Sequence, residues 1–350
     1  MPRSIALALI ARDEARCIAR CLASVRPWVD RLLVLDTGST DATVELARQA
    51  GAEVHRFDWI DDFSAARNRA LALADGDWNL VLDADEWLVS GGAELAALRR
   101  AEPSFVGQLR VDSEFDAADG VGMASSWLAR VLPRGGRFVG RIHEQVESGT
   151  PRRRLAVHIG HDGYRAARRD AKRGRNQRLL QLALAEQPGD AYLHYQFGKD
   201  LEQGECFQET VPHYEAAYAS GAPADPWRHD LVLRLMHAHK RTRGWERGVA
   251  LADAEMARWP ESPDYFFTLA DLLLDWAAAE PARAGDLLPM MEASWLKCLA
   301  LGERPDVEGA VRGRGSFLAA KNLAVFHSSL GHAEQAATYL HLEAELRDRG

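Results

Sequence analysis

The sequence predicts an α/β domain with a mixed, largely parallel sheet, followed by an all-α domain of helical hairpins. Three observations lead there. Short apolar runs alternate with helical-period segments over residues 5–90. From about Ala166 the period is helical almost to residue 350. Within that second part a helix, a glycine-containing turn and a second helix recur as a unit of about 34 residues. A chain of 350 residues has room for two domains, each with its own core. Strands alternating with helices imply a sheet covered on both faces.

The elements follow in order. Residues 5–10 read as a strand. The start resembles a signal peptide, but Arg12-Asp13-Glu14 cuts the apolar run short and no cleavage-type region follows. Residues 12–25 read as a helix, with Ile18, Leu22 and Val25 at helical spacing. Residues 31–35 form a second strand ending in Asp36-Thr37-Gly38-Ser39-Thr40-Asp41, ahead of a helix over 42–50. A third strand over 52–57 and a helix over 63–74 come next.

The apolar run Leu80-Val81-Leu82 then meets three acids, Asp83, Asp85 and Glu86. If extended geometry continues past Leu82, Asp83 and Asp85 point to the same side. Two such carboxylates repel each other unless a cation sits between them. Their hard oxygens suit Mg²⁺ or Mn²⁺ rather than zinc. They also lie beyond the carboxyl end of a strand, where open α/β sheets bind ligands. The same pattern serves a helix N-terminus or a solvated turn. Residues 105–111, 127–132, 137–146 and 154–159 read as further strands, some antiparallel. Between and after them lie two polar knots, Arg141-Ile142-His143-Glu144-Gln145 and His158-Ile159-Gly160-His161-Asp162-Gly163-Tyr164.

The helical part opens with a basic stretch, Arg165, Arg168, Arg169, Lys172, Arg173, Arg175 and Arg178, read for the most part as a solvated helix face, with Arg175-Asn176 left open as a contact to an anionic ligand. Hairpin units follow over 190–222, 229–260, 264–301 and 317–346, with turns near Gly204, Gly244, Gly285 and Gly331. Their length is that of tetratricopeptide repeats. The net charge of −8 argues against a nucleic-acid partner. No apolar run is long enough for a transmembrane segment. Four cysteines, with no Cys-x-x-Cys pair, fit a reducing, cytoplasmic setting. Cys17 and Cys21 share one helix face, as core residues do.

Three stretches in this order and spacing resemble family 2 glycosyltransferases of the GT-A type. They are Leu33-Val34-Leu35-Asp36-Thr37-Gly38-Ser39-Thr40-Asp41, then Phe63-Ser64-Ala65-Ala66-Arg67-Asn68 with Ala74-Asp75-Gly76-Asp77-Trp78, then Leu82-Asp83-Ala84-Asp85-Glu86. The His143-Glu144 pair and the His161–Tyr164 segment before helical repeats resemble a narrower branch. That branch joins a GT-A domain to tetratricopeptide-like repeats and includes peptide S-glycosyltransferases of the sublancin type and flagellin or cell-surface glycosyltransferases. The resemblance implies a GT-A domain over 1–165 and a tetratricopeptide-like domain over 166–350.

It also implies a nucleotide-sugar donor, a UDP-hexose, a divalent cation (Mn²⁺ or Mg²⁺) and an inverting single displacement. By the resemblance Asp36 contacts the nucleotide, with Thr37 where many members carry a second Asp. Arg67 and Asn68 steady the nucleotide or its diphosphate. Asp83 and Asp85 form the Asp-x-Asp motif, Asp85 on the metal and Asp83 shared between ribose and metal. His161 completes the metal shell, with His158 as runner-up. An inverting enzyme needs a general base; Glu86, Glu144 and Asp162 are the candidates. Glu144 is favoured, with His143 orienting it or touching substrate, although the pair also suits a solvent-facing strand end. The expected acceptor is a Ser, Thr or Cys side chain of a peptide or protein, since helical solenoids present concave surfaces. A cell-envelope or lipid-linked glycan is the second acceptor, and a non-catalytic repeat scaffold the alternative of another class. A homodimer stays open.

Overall fold

In the computed structural model, residues 2–117, 120–164, 166–307 and 309–348 are described. The chain forms two compact units, Met1–Ala185 and Glu186–Gly350.

The first unit begins β1 (Ile5–Ala11), α1 (Ile18–Val25), β2 (Arg31–Asp36), α2 (Thr43–Gln49), β3 (Glu53–Arg56), α3 (Phe63–Ala74) and β4 (Trp78–Asp83). It continues with β5 (Glu86–Ser90), α4 (Gly92–Ala97), β6 (Val106–Ala117), β7 (Gly120–Pro133), β8 (Arg137–Val139), β9 (Gln145–Glu147), β10 (Arg152–Tyr164) and α5 (Ala166–Glu186). The main sheet runs in the order β3-β2-β1-β4-β7-β6-β10-β5. The β1, β2, β3 and β4 strands pair in parallel. β7 is antiparallel to both β4 and β6, so the sheet is mixed.

Strand alternation sorts the apolar residues into two cores. Leu7, Leu9, Leu32, Val34, Leu80 and Leu82 face one side with Ile18, Leu22 and Val25 of α1. Ala6, Ala8, Leu33, Leu35 and Val81 face the other with Ala66, Ala70 and Ala74 of α3. The small residues on both partners let α3 lie close against the central strands, which carries Arg67 and Asn68 to the end of β4.

Three expectations change. The first helix starts at Ile18 rather than residue 12, because the preceding loop is held by cross-bonds. Asp13 takes a φ of +54°, and its carboxylate accepts from the Thr40 N–H at 2.7 Å. The Ala15 N–H donates to Asp41 at 3.1 Å. Second, 137–146 is not one strand but part of a hairpin, in which β8 pairs antiparallel with β9. His143 takes a φ of +51° in the connection, outside the strand region, so Glu144 leaves a turn. Third, residues 84–85 form a turn directly into β5. Asp83 and Asp85 therefore do not share a strand face. At the other end of the unit, α5 groups with Met1–Ala185, past residue 165. Arg178 pairs with Asp61 at 2.6 Å, and the Arg175 guanidinium lies 5.2 Å from the Phe63 ring, so α5 is fastened to the start of α3. Arg165 lies outside the described residues, as do the side chains of Arg168, Arg169, Lys172 and Arg173.

The second unit pairs α6 (Ala191–Gln203) with α7 (Phe207–Ser220), and α8 (Arg228–Arg241) with α9 (Trp245–Glu255). It then pairs α10 (Pro263–Ala279) with α11 (Ala284–Leu301), and α12 (Phe317–Ser329) with α13 (Ala333–Asp348). Asp190 caps α6 through the Leu193 N–H at 2.8 Å. Ser262 caps α10 through Tyr265 at 3.1 Å, with Pro263 opening the helix. Gly198 lies against Tyr214, and a Cβ there would sit 2.4 Å from the tyrosine ring. Gly198→Ala is therefore expected to lower the melting temperature of the unit. Overpacking of about 1–3 kcal/mol outweighs the smaller gain in helix propensity. An unchanged or raised melting temperature would show that the α6–α7 contact yields freely.

Candidate functional site

The site lies where β4, α3 and the second half of the sheet converge. Asp62 caps α3 by accepting from the Ala65 N–H at 2.9 Å, and the helix carries Arg67 inward to 8% side-chain exposure. Arg67 Nη2 donates to Asp83 Oδ1 at 2.6 Å, and its Nε donates to Glu144. From the opposite side Arg130 Nη2 donates to Asp83 Oδ2 at 2.8 Å and to the buried Glu86. The Asp83 N–H closes this chain on Glu86 Oε2 at 3.0 Å. Four carboxylate contacts thus converge on two guanidiniums. Burial opposes ionisation of Asp83, but Arg67 and Arg130 outweigh it and hold the carboxyl well below the usual range. Burial moves Glu86 the other way.

Asp85, 6% exposed, faces His161, with Oδ2 3.7 Å from Nε2. Nδ1 of His161 lies 3.0 Å from Ser113 Oγ. Burial disfavours the imidazolium, yet Asp85, Glu86 and Asp83 together raise the His161 pKa.

The other expected residues are engaged as follows. Both oxygens of Asp36 accept locally, Oδ2 from the Gly38 N–H at 3.2 Å and Oδ1 from Ser39 at 3.1 Å. Thr37 turns its hydroxyl to the Ala11 carbonyl at 3.2 Å. Asn68 grips the backbone of Phe138 with both ends of its amide, at 2.9 and 2.8 Å. Asp162 lies in a fork of Arg16 and Arg20, at 3.2 and 2.9 Å. His158 binds Asp112 at 2.6 Å, in a node with Arg110 and Ser125. His143 is exposed beside Glu144.

Arg130 and Ser113 were not among the expected residues. The signal for Arg130 was there: it is the one charge in the apolar run Trp127-Leu128-Ala129-Arg130-Val131-Leu132. A register shift between Gly107 and Gln108 opposite it swings this residue toward Asp83. Ser113 carries no such signal, since its importance comes only from lying beside His161 in the sheet.

Two features fit an anionic ligand with a cation. Arg67 Nη1 and Arg130 Nε are buried donors without a partner among the described residues, a costly condition that a phosphate oxygen relieves. In the facing pair the carboxylate supplies a hard oxygen of the kind that suits Mn²⁺ or Mg²⁺, and the imidazole adds a borderline nitrogen. Among the described residues no group of three or more His, Cys, Asp or Glu is arranged to hold a metal alone. A cation here would draw its remaining ligands from substrate oxygens and water, as Mg²⁺ commonly does.

Residues 7–118 match the family model described as glycosyl transferase family 2. The chain carries a family 2 glycosyltransferase domain joined to tetratricopeptide-like helical repeats. A TPR repeat-containing protein of Synechococcus elongatus is 36% identical over 251 residues, 68% of this chain and 62% of its own. The chain thus spans less than two thirds of that relative's length. The SPbeta prophage-derived glycosyltransferase SunS of Bacillus subtilis is 24% identical over 286 residues, 78% of this chain and 67% of its own. Among solved structures, glucosyl-3-phosphoglycerate synthase of Mycobacterium tuberculosis, in complex with Mn²⁺, UDP and glucosyl-3-phosphoglycerate, is 26% identical. It covers 33% of this chain and 46% of its own, with a TM-score of 0.26. No helix among the described residues is long and apolar enough to cross a membrane.

Proposed function

We propose that this chain is an inverting, metal-dependent glycosyltransferase that moves a hexose from a UDP-sugar to a Ser, Thr or Cys side chain of a peptide or protein. The observation that carries the reading is the buried Arg67. It is anchored by Asp83 and Glu144, keeps an Nη1 without a partner among the described residues, and lies beside the same β4 turn that holds Asp85 against His161.

As the glycosidic bond breaks, negative charge gathers on the departing diphosphate. A guanidinium fixed before the reaction stabilises that charge more in the transition state than in the ground state. Asp85 and His161 would hold a bound Mn²⁺ or Mg²⁺, which would supply further neutralisation of the leaving group. Asp83 reaches the ribose side while fixing both arginines, and Asp36 and Thr37 shape the nucleotide lip. Asn68 positions the hairpin that carries His143 and Glu144. Glu144 is the base. Its carboxylate accepts from Arg67 Nε, which fixes its place beside the β4 turn. A thiol, being more acidic than a hydroxyl, asks least of such a base. The helical repeats support a peptide acceptor, because stacked hairpins form extended binding surfaces.

A thermal-shift panel of nucleotide sugars, with and without Mn²⁺, tests the donor and metal together. A UDP-hexose with Mn²⁺ should raise the melting temperature, by about 2.7 kcal/mol of stabilisation at a hundredfold excess over Kd. Asp85→Ala should remove the metal-dependent part of that rise. No rise with any nucleotide sugar in either condition would sink the reading.

A further inference from the structure

We propose that Ser113 is a positioning residue for the cation site: its hydroxyl holds Nδ1–H of His161 and so fixes Nε2 as the nitrogen offered, with Asp85, to a divalent cation. This rests on the reading of Asp85 and His161 given above. Three adjacent strands bring the parts together. In β10, His161 is the direct partner of Glu86 in β5 on one side and of Ser113 in β6 on the other. Directly paired residues project from the same face of a sheet. Glu86, His161 and Ser113 therefore form a row across it.

The row divides the two nitrogens of the imidazole. Nδ1 lies 3.0 Å from Ser113 Oγ, within hydrogen-bond range. Nε2 lies 3.7 Å from Asp85 Oδ2, beyond that range. A neutral imidazole carries one N–H and one lone pair. With a cation between Nε2 and Asp85 the lone pair of Nε2 is on the metal, and Nδ1 carries the N–H that the hydroxyl accepts. Ligands each about 2.1 Å from one ion lie about 3–4 Å apart, so the gap suits a shared cation better than a shared proton. Partners that fix the tautomer of a ligating histidine commonly change metal affinity by about 10–100-fold. Serine is short enough to do this from the neighbouring strand without entering the site itself.

The test uses the full-length chain with UDP, and free Mn²⁺ is followed by electron paramagnetic resonance. Ser113→Ala should weaken Mn²⁺ binding about tenfold while the melting temperature of the metal-free chain stays near wild type. Ser113→Thr, which keeps the hydroxyl, should restore the affinity. In chain labelled with ¹⁵N-histidine and saturated with UDP and diamagnetic Mg²⁺, and with His161 assigned by the signals lost in His161→Asn, the wild type should show the Nδ1–H tautomer and Ser113→Ala should lose that preference. Wild-type Mn²⁺ affinity in Ser113→Ala, alongside weakened binding in His161→Asn, would overturn the role of Ser113 alone. Unweakened binding in His161→Asn would overturn the reading of His161 and this proposal with it. Should Ser113→Ala not fold, an Nε2–H tautomer in the wild type with UDP and Mg²⁺ bound overturns the proposal without any variant of Ser113.

Discussion

Arg67→Met is expected to abolish sugar transfer and to destabilise the first unit by roughly 3–5 kcal/mol, the usual cost of removing one partner from a buried ion pair. The substitution leaves Glu144 facing the gap at 10% side-chain exposure. Asp83 loses one of its two guanidiniums but keeps Arg130 and is 37% exposed at its side chain, so the loss should fall toward the lower end. Stability and chemistry separate in a second variant. Arg67→Met with Glu144→Gln removes the stranded carboxylate and should recover part of the melting temperature; because it also removes the proposed base, it reads stability alone, and transfer is compared between Arg67→Met and wild type at a temperature where both are folded. Arg67→Lys keeps a charge but cannot reach two carboxylates and still present a third N–H, so it should behave like the methionine variant in transfer. Full turnover in Arg67→Met would remove the guanidinium from the reaction, and with it the proposed handling of the diphosphate.

In the second unit the largest loss should follow from Arg228→Met. Arg228 is buried, donates to Glu255 Oε1 at 2.8 Å and to the Tyr218 carbonyl at 2.8 Å, and lies 3.7 Å from the Tyr218 ring. Glu255 in turn accepts from the Tyr218 hydroxyl at 2.9 Å and from Trp259 Nε1 at 3.1 Å. Burial opposes the charge on Glu255, and Arg228 and Tyr218 more than offset it, so its carboxyl titrates below the usual range. Removing Arg228 leaves that charge 3% exposed, with only the half-exposed Arg258, 3.7 Å away, as a cation beside it among the described residues. A cost of about 3–5 kcal/mol is expected, which for a unit of this size lowers its melting temperature by about 6–20 °C. Adding Glu255→Gln should return much of the loss, because the stranded charge is the larger part of it. A melting temperature within a degree of wild type for the single variant would show that the helix pairs do not depend on this contact.

The class of each unit was legible because periodicity survives without knowledge of neighbours. The apolar run Leu80-Val81-Leu82 and helical spacing in α1 and α3 are local, and the glycine-turn hairpins recur in sequence. The site was legible only in part. Asp83 and Asp85 stood out as acids at a strand end, but which way each one faces depends on the turn at residues 84–85, and no periodicity signals that turn. Glu144 was picked from a polar knot. Its partner Arg67 lies far away in sequence, and only the packing of α3 on Ala6 and Ala8 brings the two together. Arg130 owes its position to a register shift between two strands, which depends on both at once. Ser113 depends on its neighbour in β10, whose pairing no local pattern encodes.

The grip of Asn68 on Phe138 has a consequence for how α3 can change. Phe63, Arg67 and Asn68 each hold the hairpin, through the Arg141 carbonyl at 2.9 Å, through Glu144 and through both polar groups of the Phe138 backbone. The helix and hairpin therefore mesh like a key in a lock with fixed notches. One residue added or removed between 63 and 68 would turn the later contacts by about 100° around the helix axis, unseating them together. Side chains in this span can vary, but its length cannot, and lineages carrying this site should differ here by substitution rather than by insertion.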